Sequence, residues 1–135
     1  MRTVNEIMTT LPLSCNKDEM IDIVADKMFA RSANFLTVTN GDKKVVGTIN
    51  YIDICMAPDK LLRPKEQIMV SEVMNPYTPT VNTFDDEASA LKIMRMNKAN
   101  ALPVVDDDNT LKGTISFMSI ARRIIGFKQT LKASF

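Results

Sequence analysis

The chain has 135 residues, 45% of them apolar, and its 17 basic and 16 acidic side chains leave a formal net charge of +1. That balance gives no global pull toward nucleic acid or an anionic membrane, and the apolar share suits a compact domain with a real core. Histidine is absent and the two cysteines stand alone, so a His-based catalytic triad and metal–thiolate chemistry are excluded by inventory.

The opening stretch, MRTVNEIMTT, lacks the apolar run of a secretion signal, and no segment approaches the roughly 18 apolar residues that a membrane span needs. The cytoplasm is therefore the expected compartment, with Cys15 and Cys55 as reduced core thiols. A short segment ends at Met8 and a proline-bearing turn follows around Pro12. An extended piece is predicted over 13–16. A helix is predicted over 18–30, with Met20, Ile23, Val24 and Met28 on one face. Strands over 35–39 and 45–50 flank the turn-forming NGDKK, and a helix opens at Tyr51. The stretch APDKLLRPKEQ, residues 57–67, then reads as a connection.

Beyond it the same order returns. A shift of 66 aligns residues 4–54 with 70–120 without a gap. Identical pairs include Val4/Val70, Glu6/Glu72, Met8/Met74, Asn16/Asn82, Met28/Met94, Leu36/Leu102 and Val38/Val104. The longest match is GTINYIDI, 47–54, against GTISFMSI, 113–120. The second copy predicts a brief extended piece over 80–82 and a helix over 84–96 with Thr83 as its N-cap. Strands follow over 102–105 and 111–116, and a final helix opens at Phe117 and meets Gly126. Each copy is a β-α-β-β-α unit of about 50 residues, too small to bury enough apolar area alone. Two copies packed through their sheets about a pseudo-twofold axis solve that problem, which makes the expected class α+β. DDD at 106–108 falls in a turn, where solvated acids are routine, and no spaced ligand loop follows it, so no metal site is assigned.

The second copy, with VMNPYTPTVNTFDDEASAL, LPVVD and GTISFMS in order, resembles a cystathionine-β-synthase (CBS) motif. The first copy resembles it more loosely, with FLTVTNGD where the family usually carries a proline. The resemblance covers nearly the whole chain and implies a free-standing tandem pair, a Bateman module. Its first motif spans 1–60, a linker 61–69, the second motif 70–126, and a C-terminal tail 127–135. No catalytic residues are nominated, and no cofactor is required.

What the resemblance implies is an adenosine-containing ligand (AMP, ADP, ATP or S-adenosylmethionine) held in a cleft between the motifs. In the family, the acid that closes the glycine-led corner accepts hydrogen bonds from the ribose, which places Asp53 in that role. Asn50 stands where the family's corner hydroxyl usually is. The second corner keeps the hydroxyl at Ser116 but has Ser119 instead of the acid. Ser14 and Thr80, before the first strand of each copy, and Pro103 on LPVV are the corresponding candidates for sugar or base contact. Arg122 and Arg123 are the leading candidates for phosphate, because the guanidinium fork suits it, and Lys27, Arg31, Arg95 and Lys98 are further cations on helices. A regulatory module acting on an unknown partner protein follows, with a homodimer expected and neither nucleic acid nor membrane as partner. The alternative is a structural module that pairs with itself or a partner and binds no nucleotide. Neither corner carries the full pattern, so one usable site is expected, centred on Asp53.

Overall fold

A computed structural model describes residues 2–10 and 13–126. Pro12 and the segment 127–135, which includes the C-terminal tail and the end of the basic stretch, lie outside the described residues. The elements run α1 (Val4–Ile7), β1 (Ser14–Asn16), α2 (Ile21–Ala30), β2 (Phe35–Thr39), β3 (Val45–Asn50) and α3 (Tyr51–Leu61). Two 3₁₀ turns, Lys65–Gln67 and Val70–Glu72, lead to β4 (Val81–Asn82), α4 (Glu87–Asn97), β5 (Ala101–Val105), β6 (Leu111–Ser116) and α5 (Phe117–Ile125). The class is α+β, with two three-stranded sheets ordered β1-β2-β3 and β4-β5-β6. In both, the first pair is parallel; β2 and β3 run antiparallel.

The chain forms two compact units, and each takes its lead-in from the other repeat. One unit holds residues 13–78 together with the turn Asp107–Leu111. Its apolar cluster joins Cys15, Leu36, Val38 and Ile49 of the sheet to Ile21, Val24 and Met28 of α2 and Ile54 and Ala57 of α3. Ile68 and Val70, from the run before the second repeat, complete that cluster. Here Val70 N–H donates to the Glu19 carbonyl at 2.9 Å and Ile21 N–H to the Ile68 carbonyl at 2.9 Å. The other unit combines the N-terminal segment through Thr10 with Pro79–Asp106 and the chain from Lys112 onward. Its cluster is Val81, Leu102, Val104, Ile115, Ala90, Met94, Ile120 and Val4. The same bonds recur with the roles exchanged: Val4 N–H donates to the Asp85 carbonyl at 2.7 Å and Glu87 N–H to the Arg2 carbonyl at 3.1 Å.

This exchange accounts for the repeated glycine. Thr48 exchanges backbone hydrogen bonds with Asn75 (3.0 and 2.8 Å), and Thr114 does so with Thr9 (3.0 and 2.9 Å). The lead-in backbone thus lies directly over Gly47 and Gly113. A Cβ at Gly47 would sit 2.5 Å from the Asn75 carbonyl oxygen, and one at Gly113 would sit 2.5 Å from that of Thr9. Both positions need the missing side chain for close approach.

The helices start later than their sequence pattern suggests. Residues 17–20 and 83–86 form turns, and the N-caps are Met20 and Asp86. Thr83 is buried at 7% exposure and is not the cap. Asn82 Oδ1 accepts from Phe84 N–H at 3.0 Å and holds the preceding turn, leaving Asp86 to accept from Ser89 N–H at 2.8 Å. Cys15 is buried and free, and burial pushes its thiol up to about 12. Cys55 corrects the expectation of two core thiols, because it lies on the exposed side of α3, between buried Ile54 and exposed Met56. Gly126, at φ 72°, ends α5 as its left-handed C-cap. Among the described residues no helix is long and apolar enough to cross a membrane, and no group of three acids or cysteines is placed to hold a metal.

Candidate functional site

The two corners share one backbone geometry. β3 passes into α3 at Asn50 (φ −110°, ψ 158°) and β6 into α5 at Ser116 (φ −108°, ψ 150°), each residue extended and each an N-cap. Asn50 Oδ1 accepts from Asp53 N–H at 2.8 Å; Ser116 Oγ accepts from Ser119 N–H at 3.1 Å. Both side chains therefore quench one of the orphan amides of a helix start. Asn50 and Ser116 are interchangeable in that task, because an amide oxygen and a hydroxyl oxygen both accept.

What differs is the residue three positions on. Asp53 is exposed on the first turn of α3, where the helix dipole favours a carboxylate, and among the described residues its side chain makes no hydrogen bond or ion pair. It borders a hollow of about 200 Å³ floored by Met56, Ala57 and Val73, with Lys60 and Glu72 also on the wall. Glu72 is already engaged: the hydrogen bond from Arg63, and then that from Met69 N–H, hold its carboxyl below the usual range. Arg63 is raised in turn by the same bond. Ser119 is exposed too, but its hydroxyl lies 2.8 Å from that of Ser116, so the second corner closes on itself.

Ser14, Asn50 and Asp53 belong to one unit; Thr80, Pro103, Ser116, Ser119, Arg122 and Arg123 belong to the other. Ser14 is half-buried beside Thr37, which pairs in turn with Thr48. These three alternate with Cys15, Leu36, Val38 and Ile49 of the apolar cluster, so they line the opposite face of the sheet. Thr48 Oγ1 meets Thr78 Oγ1 at 2.9 Å, whereas the Thr37 hydroxyl, at 1% exposure, has no partner. Pro103 is buried in β5 and Thr80 is half-buried just before β4.

The cations are unequal. Lys27 Nζ donates to the Ser14 carbonyl at 3.1 Å and lies 3.6 Å from Glu19. Arg123 pairs with Oε1 of Glu87, whose side chain is only 6% exposed and whose Oε2 has no partner. Arg122 is exposed in the last turn of α5, and among the described residues no ion pair holds it. Sequence reasoning missed the Glu87–Arg123 pair and the hydroxyl row of Thr37 and Thr48. The shift by 66 held a signal for the first: Glu87 and Arg123 replace Ile21 and Ala57, an apolar pair exchanged for a charged one.

Two β-α-β-β-α motifs, each with a docked lead-in and a capped glycine corner, define a tandem-repeat α+β fold, and the chain belongs to the CBS domain family, whose model matches residues 4–60 and 70–126. It is 32% identical over 124 residues to a homoserine O-acetyltransferase of Methanococcoides burtonii, covering 90% of this chain and 24% of that enzyme. It likewise spans 24% of an inosine-5'-monophosphate dehydrogenase of Methanocaldococcus jannaschii, so it matches about a quarter of the length of these relatives. Among solved structures, the CBS domain pair of protein MJ0100, in complex with 5'-methylthioadenosine and S-adenosyl-L-methionine, superposes with a TM-score of 0.78 at 23% identity. That match covers 95% of this chain and 99% of the other. CBSX2 in complex with AMP superposes with a TM-score of 0.81 at 20% identity, covering 93% and 98%. At these identities the superpositions establish the fold.

Proposed function

We propose that this chain is a cytoplasmic regulatory module that binds an adenosine-containing small molecule through the Asp53 corner and thereby alters a partner protein. The observation that carries this reading is the Asp53 carboxylate. It is exposed, unpaired among the described residues and carried on a capped first turn, at the position where the family's ribose acid stands. A carboxylate held in that way can accept two hydroxyl donors, and charge-assisted bonds of this kind are the stronger ones. The complexes of MJ0100 and CBSX2 with adenosyl ligands support the ligand class. Ser14 lies on the sheet that leads into the same corner and is the candidate for sugar or base contact. Regulation then requires only that the ligand bind two states of the module with different affinity.

The test is a thermal-shift panel of AMP, ADP, ATP and S-adenosylmethionine on ligand-free protein. Saturation at about 100 times Kd adds roughly 2.7 kcal/mol, a rise of a few degrees at this size. Asp53→Ala is expected to abolish the rise while lowering the melting temperature of the free protein only slightly, by the lost helix-dipole contribution of at most about 1 kcal/mol. No rise with any of the four defeats the proposal.

The second reading, a structural pairing module without nucleotide, draws on the closed Ser116–Ser119 corner, which has a serine where the first corner has Asp53. It requires self-association that is independent of ligand and unchanged in Asp53→Ala, measurable by size-exclusion chromatography with light scattering.

A further inference from the structure

One feature of the second repeat has no counterpart in the first. Where α4 ends and α5 begins, Arg95, Lys98, Asn100 and Phe117 surround an open hollow of about 380 Å³ whose apolar wall includes Leu91 and Met94. A shift of 66 places Phe29, Ser32, Asn34 and Tyr51 at the equivalent positions, so both cations are peculiar to this side. All of these residues belong to a single unit, and none of them is part of the Asp53 corner.

Basic residues in a last helical turn usually serve its unpaired carbonyls. Here that work is already done. The Ile93 carbonyl accepts from the Asn97 amide at 2.8 Å, and the Met94 carbonyl accepts from Ala99 N–H at 2.9 Å. The Arg95 carbonyl accepts from Lys98 N–H at 3.4 Å. Neither Arg95 nor Lys98 makes an ion pair among the described residues, and no acid lines the hollow. Arg95 in the last turn of α4 and Lys98 at its left-handed C-cap place two like charges on one wall of the hollow, and a bound anion would offset their repulsion. Phe117, 45% exposed, offers the body of the ligand an aromatic surface, and its backbone is tied to the wall of the hollow because its N–H donates to the Asn100 carbonyl at 2.7 Å. Arg95 adds the planar fork that suits a carboxylate or phosphate.

We propose that this hollow is a second ligand site, selective for a small molecule that carries an oxyanion on an aromatic body. Arg95 and Lys98 hold the anion and Phe117, with Leu91 and Met94, holds the ring. The site does not depend on the adenosyl reading of Asp53.

The experiment titrates the full chain, labelled with ¹⁵N, with phenyl phosphate and with benzoate, which separate a phosphate ester from a carboxylate as the source of the anion. Inorganic phosphate and benzyl alcohol supply anion and ring alone. Saturable shifts confined to the amides around Arg95–Asn100 and Phe117 are expected for at least one aromatic anion, at least tenfold tighter than for either control. Arg95→Gln with Lys98→Gln should weaken that binding tenfold or more, with the melting temperature within about two degrees of the parent, and Asp53→Ala should leave it unchanged. Shifts scattered over surface cations, equal binding of inorganic phosphate, or full binding by the double variant would each overturn the proposal. Should the double variant unfold, Lys98→Gln alone is titrated against the same tenfold criterion relaxed to threefold, and no loss overturns it.

Discussion

The contact between α2 and α3 and the contact between α4 and α5 occupy the same place in the repeat and are built from opposite materials. In the first unit Ile21, 0% exposed, and Ala57, 4% exposed, lie in one apolar cluster. In the second, Glu87 and Arg123 stand at those positions as an ion pair, with the Glu87 side chain 6% exposed and one of its oxygens unpartnered. An apolar contact gains from every square ångström removed from water, at about 25 cal/mol per Å². A buried pair must first offset the desolvation of both charges, so it adds little net stability, yet breaking it leaves a charge stranded. The same backbone thus tolerates either solution. In the second, one contact of α5, beside buried Ile120, rests on a charged partner.

The largest expected effect tests what the two units share. Gly47→Val and Gly113→Val each drive a side chain into a backbone carbonyl of the docked lead-in, and each should cost about 3 kcal/mol or more. Urea denaturation of the two variants should give similar losses; a loss in only one would show that the lead-ins are not equivalent. Next is Arg123→Ala, which strands Glu87 and should cost about 2–3 kcal/mol, below the full penalty because Arg123 is a third exposed. The double change Glu87→Ile with Arg123→Ala copies the first unit and should return stability to the parent level or above. If the double variant is no better than the single, the contrast between the two contacts is not one of charge.

Smaller effects concern the caps. Asn50→Ala and Ser116→Ala each remove an acceptor for a first-turn amide and should cost about 1 kcal/mol by thermal denaturation. The caps of α4 and α2 differ, since Asp86 accepts a hydrogen bond and Met20 does not. The Ser89 backbone N–H holds the Asp86 carboxyl below its usual range. A folded value below the unfolded one, about 3.9, means that its stabilisation is complete above that pH and is lost as the pH falls through the folded value. Asp86→Ala should therefore melt earlier than the parent at pH 7, and the gap should narrow on acidification below about 3.9. The smallest effect is chemical. Cys55 should react with a thiol reagent in the native protein, while Cys15, buried and raised to about 12, should react only on unfolding.

Much of the fold was legible in the residues. The repeat by 66, the strands over 35–39 and 45–50, and the helices opening at Tyr51 and Phe117 follow from apolar period and turn chemistry, which are local properties. Spacing alone placed Asp53 three residues after Asn50, where the cap bond forms, while its part as the corner acid is what the family resemblance implies. The cap of α4 was misplaced by three residues, at Thr83 instead of Asp86. Both residue types cap well, and only the competition from Asn82 decides between them.

Sequence by itself determined the duplication, the order of elements in each copy and the polar asymmetry between the two corners, since each depends on residues close together in the chain. Tertiary structure alone decided which lead-in docks on which sheet, because Val4 and Val70 carry the same pattern and either could fill either cluster. It also decided what the glycines are for, and that Arg123 answers Glu87 while Arg95 and Lys98 answer no acid among the described residues. Those outcomes rest on contacts between distant segments, which no local period records.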